Sequence, residues 1–140
     1  MKQVLRDQNN YILRFDKDED VLLGLKEFCS QSGITAGWFS GIGAANRVQL
    51  LYYSNEQKDY QRPGVELHNV EIVSLSGNIA VINNEVMLHC HGVFSDDHMT
   101  PSAGHVSTLV VSVTCEVVLQ AVTGVINRQL DKNFNLKLMK

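Results

Sequence analysis

No run of apolar residues in this chain is long enough to cross a bilayer as a helix, and the opening Met1-Lys2-Gln3-Val4-Leu5-Arg6-Asp7 leads into none. Neither a membrane span nor a secretory leader is therefore expected. Cysteine is scarce as well. Cys29, Cys90 and Cys115 are an odd number without Cys-x-x-Cys spacing, which excludes a disulfide framework and leaves a reducing cytoplasm as the expected location. An excess of positive charge is also missing: 12 Lys and Arg stand against 15 Asp and Glu, for a formal net charge of -3. With no basic tail and no Arg/Lys stripe, the chain as a whole offers a phosphate backbone no attraction. Internal repeats and low-complexity segments are absent too.

What is present describes a globular protein. A length of 140 residues, 44% hydrophobic and 19% charged, suits one domain over 1–140, with its core expected from about 11 to 138. Tyr11-Ile12-Leu13-Arg14-Phe15 reads as a first strand. Val21, Leu22, Leu25, Phe28 and Cys29 then recur at helical spacing, so an amphipathic helix is expected from about Asp20 to Ser32, capped by Asp18 or Asp20 and stopped at Gly33. Cys90 and Cys115 lie in strand-like apolar surroundings and read as small core residues.

Ile34 to Ser40 reads as the next strand, followed by Gly41-Ile42-Gly43-Ala44-Ala45-Asn46 and another strand, Val48 to Tyr53. The glycine pair superficially resembles a dinucleotide loop, but the third glycine is missing and a strand stands where a helix is needed, which excludes a Rossmann site. Gly41 and Gly43 instead suit a sharp or bulged turn, or the close approach of another backbone or a ligand. Ser54 to Gly64 reads as a polar loop. Glu71 to Ile82 reads as a strand turning near Gly77, and Asn83-Asn84-Glu85 as a hairpin turn. Leu109 to Val122 is a long β-branched stretch and Asn135 to Leu138 a last edge strand. One helix and seven or eight strands imply an α+β domain built on a mainly antiparallel sheet.

The chemistry-bearing stretch is Met87-Leu88-His89-Cys90-His91-Gly92-Val93, followed after one loop by Ala103-Gly104-His105-Val106. On a strand, His89 and His91 leave the same face roughly 6 to 7 Å apart, and Cys90 faces away. The turn formers between Phe94 and Gly104 can fold the chain back and bring His105 to them. Three neutral imidazoles suit a tetrahedral Zn²⁺ with its fourth position open. Half-buried histidines without a metal are the alternative. His68 and His98 read as solvent-exposed, with His98 the replacement if a ligand is lacking. Tyr52, Tyr53 and Tyr60 read as packing or subunit-contact residues.

Four ordered motifs, Trp38-Phe39-Ser40-Gly41-Ile42-Gly43-Ala44, Glu71-Ile72-Val73-Ser74-Leu75-Ser76-Gly77, His89-Cys90-His91 and Gly104-His105, resemble the PPC (plants and prokaryotes conserved) domain. The likeness covers nearly the whole chain. It implies an α+β fold, a homotrimer, and zinc on His89, His91 and His105. The family's usual Gly-Gly-His-Leu stands here as Ala103-Gly104-His105-Val106, and the commonly aliphatic position between the paired histidines is Cys90. Neither departure removes a ligand.

Three functions follow from this reading. The first is a trimeric binding module with a zinc site at or near a subunit interface, taking a small-molecule or protein ligand. The second is a DNA-binding regulator, the usual label of prokaryotic relatives, which would need a positive patch assembled across subunits from Arg6, Arg47, Lys58, Arg62 and Arg128. The third is a zinc-dependent hydrolase or lyase with Glu71 as candidate base, Glu71 otherwise being a solvated carboxylate or an ion-pair partner of Arg47 or Arg62.

Overall fold

Two apolar periods lay down the architecture. At the helical one, α1 (Val21–Gln31) buries Val21, Leu25 and Cys29 on a single stripe. Asp20 stands before it in extended geometry, its carboxylate accepting the Leu23 N–H at 2.9 Å, so one otherwise orphaned amide of the first turn is satisfied. Ser32 closes the helix and Gly33 leaves it at φ +67°, the left-handed conformation that glycine adopts without strain. The helix expected from Asp20 to Ser32 thus stands where its cap signals put it.

The computed structural model describes all 140 residues, and around the helix it builds eight strands. These are β1 (Lys2–Asp7), β2 (Asn10–Asp16), β3 (Gly37–Ser54), β4 (Asp59–Ile82), β5 (Glu85–Ser95), β6 (Pro101–Ala121), β7 (Arg128–Asp131) and β8 (Leu136–Met139). The first six form an antiparallel sheet in the order β1-β2-β6-β3-β4-β5. β5 also pairs with β6, which closes β6, β3, β4 and β5 on themselves. β7 and β8 make a separate two-stranded sheet. α1 packs on β5 and β6, and its buried stripe joins one continuous core with Phe15, Phe39, Ile79, Phe94 and Leu109. No helix is long and apolar enough to cross a membrane. All three cysteines are free and buried, and burial pushes their thiols up to about 12, so they pack as apolar residues.

Several local expectations are corrected by the ladders. The stretch from Ser54 to Gly64, expected as a loop, is mostly strand: Ser54 pairs with Asp59 and Tyr53 with Tyr60 across a short turn. Its polar composition reflects exposure of nearly every residue from Asn55 to Gly64, not irregular backbone. β4 does not turn at Gly77 but runs through it, because a Cβ at that position would meet Phe39 Cζ at 2.3 Å; the space a side chain would need holds a core ring. β3 likewise passes through Gly41 and Gly43, where the register shifts by a bulge. There a Cβ on Gly43 would stand 2.2 Å from the Thr114 carbonyl oxygen, so β6 itself is what closely approaches the glycines. β1 carries no strand signal in sequence, since its six residues are all exposed and show no apolar alternation. The last strand begins at Leu136 and pairs with β7, leaving the edge of the main sheet free of it. The turn at Asn83 and Asn84 stands as expected, both at positive φ (51° and 65°).

Candidate metal centre

Strand alternation and barrel closure together assemble three imidazoles. On β5, Cys90 is 1% exposed and points into the core, so His89 and His91 project from the opposite face. The chain then reverses over Asp96 to Thr100. The Asp96 carboxylate accepts the N–H groups of His98 at 2.9 Å and Thr100 at 2.8 Å, bonds that hold its carboxyl below the usual range. The returning β6 sets His105 directly across from His91. The ligand nitrogens of His89, His91 and His105 all lie within 4.8 Å of one another. The Nε2 atoms of His89 and His91 are 3.2 Å apart. A tetrahedral ion with ligands at 2.0–2.1 Å needs nitrogens about 3.3–3.4 Å apart, so this edge already has the right length. His91 also borders a hollow lined by Ser74, Ser76, Val93 and Ala103.

The surroundings disfavour a proton on two of the three rings, His89 and His105. Burial lowers the basicity of His89, with the neighbouring His91 and then Arg128 adding to it. Burial takes His105 down to about 4, reinforced by His89 and His91. Uncharged imidazoles are the form that binds a metal, so proton competition is weakened at His89 and His105. The ring of Tyr60 stacks on His105 with centroids 4.5 Å apart, and its hydroxyl lies 3.5 Å from Nδ1. Tyr60 thereby restrains the orientation of the His105 ring.

This depression has a testable consequence for the metal-free protein. An unfolded histidine takes up its proton near 6.5, whereas folded His105 resists until about 4. The unfolded state therefore binds more protons in between, and the stability contributed by the neutral ring is whole above pH 6.5 and is lost as pH falls toward 4. In chelator, the melting temperature of the wild type will fall more steeply between pH 6.5 and 4 than that of His105→Gln. Parallel curves would sink the argument.

Other residues singled out by sequence lie apart from the three histidines. Glu71 pairs with Ala44 and Ser95 on β4, whereas Ser76 is the residue opposite His91. Five strand positions put Glu71 roughly 15 Å along the strand from that row, and it forms no ion pair with Arg47 or Arg62. Gly41 and Gly43 lie on β3, separated from the histidine strand by β4, about 10 Å away. His68 and His98 are exposed beside Glu66 and Asp97 at 2.8 and 3.7 Å. Arg128, expected in a surface patch, is buried in β7 instead. Sequence reasoning did not single out Tyr60, Asn78 or Arg128 as parts of this site, because each reaches the histidines from a distant segment and none belongs to a recognisable spacing.

Comparison with known proteins agrees with the fold. The model of the Plants and Prokaryotes Conserved (PCC) domain matches residues 3–123. The chain is similar to a metal-containing protein from Archaeoglobus fulgidus, 29% identical, with a TM-score of 0.84 over 100% of this chain and 99% of that one. It is similar to a plant- and prokaryote-conserved protein from Pyrococcus horikoshii, 26% identical, with a TM-score of 0.88 over 100% and 97% of the two chains. A candidate DNA-binding protein from Bacteroides thetaiotaomicron is 26% identical, with a TM-score of 0.92 over 97% and 94%. No curated protein matches the chain.

Proposed function

The chain belongs to the Plants and Prokaryotes Conserved domain family, and from that premise we propose that it is a homotrimeric, zinc-dependent ligand-binding protein of the cytoplasm. His89, His91 and His105 hold the metal, and a small-molecule or protein ligand is taken at the position they leave open. The observation that carries this reading is the convergence of three imidazole nitrogens within 4.8 Å on one face of a barrel seam. All-nitrogen coordination with one free position is the donor set of a zinc site that works on ligands, not of one closed by four side chains. When bound, zinc supplies a Lewis acid for an anionic or carbonyl group. The metal-containing relative from Archaeoglobus fulgidus supports the assignment.

A trimer is supported by the same face of the sheet. Trp38 pairs with Asn78, and Asn78 with His89, so these three stand in one cross-strand row; Val118, Ser40, Ser76 and His91 form the next. Trp38, Ile42 and Val118 are all more than half exposed there, an apolar patch of the kind that contact between copies covers. Copies packed on this face bring the histidines to a subunit boundary. Glu71 is too far along its own strand to act as base within one chain, which disfavours a hydrolase or lyase.

DNA binding is the second reading, favoured by the relative from Bacteroides thetaiotaomicron. Against it stand the net charge of -3 and the burial of Arg128, which removes one cation from the patch that would be needed. Elemental analysis of protein purified without a histidine tag, with light scattering on the same sample, is the test. About one zinc per chain in a particle of three chains is expected. A well-folded protein without metal would overturn the assignment, and retarded duplex DNA at physiological salt would move the choice to the second reading.

A further inference from the structure

Arg128 is the only charged side chain that the fold buries, at 9% exposure. A guanidinium stays protonated and carries five N–H donors. Nη1 donates to the Lys137 carbonyl oxygen at 2.6 Å and Nη2 to Asn78 Oδ1 at 2.7 Å. The Nε–H is screened from solvent and has no partner. No carboxylate forms an ion pair with Arg128. A buried cation with only neutral acceptors is costly to the fold, and the cost is recovered only when an anion arrives.

The position of this charge says which anion site it serves. Asn78 is the direct cross-strand partner of His89, and such partners project to the same face with Cβ atoms about 4.5–5.5 Å apart. A guanidinium bonded to the Asn78 side chain therefore lies on the histidine face, one side chain from His89. Tyr60 borders the histidines as well, stacked on His105. We infer that Arg128 is the anchor of an anion subsite beside the three histidines, and that the ligand of this protein is a small organic acid whose carboxylate it receives. The planar fork of arginine matches a carboxylate. This deepens the metal-dependent reading and rests on it for the ligand's second point of attachment.

The test uses the full-length, zinc-loaded protein, titrated calorimetrically with acetate, lactate and malonate, with lactamide and inorganic phosphate as controls. At least one carboxylate will bind the wild type, lactamide will not, and Arg128→Gln will weaken that binding by about tenfold or more, the worth of a charged hydrogen bond. Melting temperature, zinc content and light scattering of Arg128→Gln serve as controls for folding. They will stay near wild-type values, because the variant removes an uncompensated buried charge. Unchanged carboxylate binding in Arg128→Gln, binding of phosphate alone, or a folded, zinc-replete wild type that binds none of the acids would each overturn the inference. Dissociation of the Arg128→Gln trimer would overturn it too, by assigning the counter-charge to a neighbouring copy. Carboxylate binding that depends on Arg128 in protein unable to hold zinc would sustain the subsite while removing the metal.

Discussion

Substituting His89 and His91 together with alanine will take the zinc content from about one per chain to none, while the far-ultraviolet signature of the sheet persists. Both rings project from the face of β5 opposite the core, and the packing residue between them is Cys90. Their loss therefore removes donors without opening a cavity. His105→Ala alone will weaken zinc by more than about 100-fold, since groups that merely orient a ligand are worth about 10–100-fold and His105 is proposed to bind directly. Metal titration against a competing chelator measures both effects. Light scattering of the same samples separates two roles for the ion. A trimer that survives in the double variant and in chelator fits a site reserved for ligands, and one that falls apart makes zinc part of the fold, because binding energy confined to the folded state becomes folding energy.

Gly77→Ala will be strongly damaging, because the added methyl meets both a core ring and the backbone of the histidine strand. The new Cβ would stand 2.3 Å from Phe39 Cζ and 2.6 Å from the His89 carbonyl oxygen. Phe39 is 3% exposed and has nowhere to go. Relief must come from β5, which moves the backbone of His89. A loss of about 3 kcal/mol is expected, at the upper end for overpacking, or roughly 10 °C in melting temperature. Zinc affinity will fall with it, although no ligand has changed. Gly104→Ala is the control on the opposing strand, next to His105: its nearest contact is the Leu51 carbonyl oxygen at 3.3 Å, with the next at 3.7 Å. It should cost less than about 1 kcal/mol. Thermal melts of the two variants, with and without zinc, decide the matter. Equal melts would show that β4 and β5 are not tightly apposed at Gly77.

The features legible in the chain are those encoded by neighbours a few residues apart. Asp20 and Gly33 bracket α1 because a side-chain acceptor and a left-handed exit act within one turn. Asn83 and Asn84 announce a hairpin because both accept positive φ. His89 and His91 share a face because a strand repeats every two residues. The misread stretches are those where a partner from elsewhere overrules local preference. Gly77 looks like a turn until the ring of Phe39 fills its missing side chain, and the polar segment around Asp59 and Tyr60 looks like a loop until Ser54 and Tyr53 pair with it.

By itself, then, the sequence determined the fold class, the helix and its caps, and the pair of imidazoles on β5, since all of these follow from backbone preference and side-chain period. Only the tertiary structure decided that β5 closes onto β6 and sets His105 against His91. It alone brought Tyr60 from 45 residues away to stack on His105, and Arg128 from 50 residues away to Asn78. The reason is physical. A closing seam is chosen by the burial and hydrogen bonding of whole strands, a sum over many distant residues that leaves no mark on any one of them.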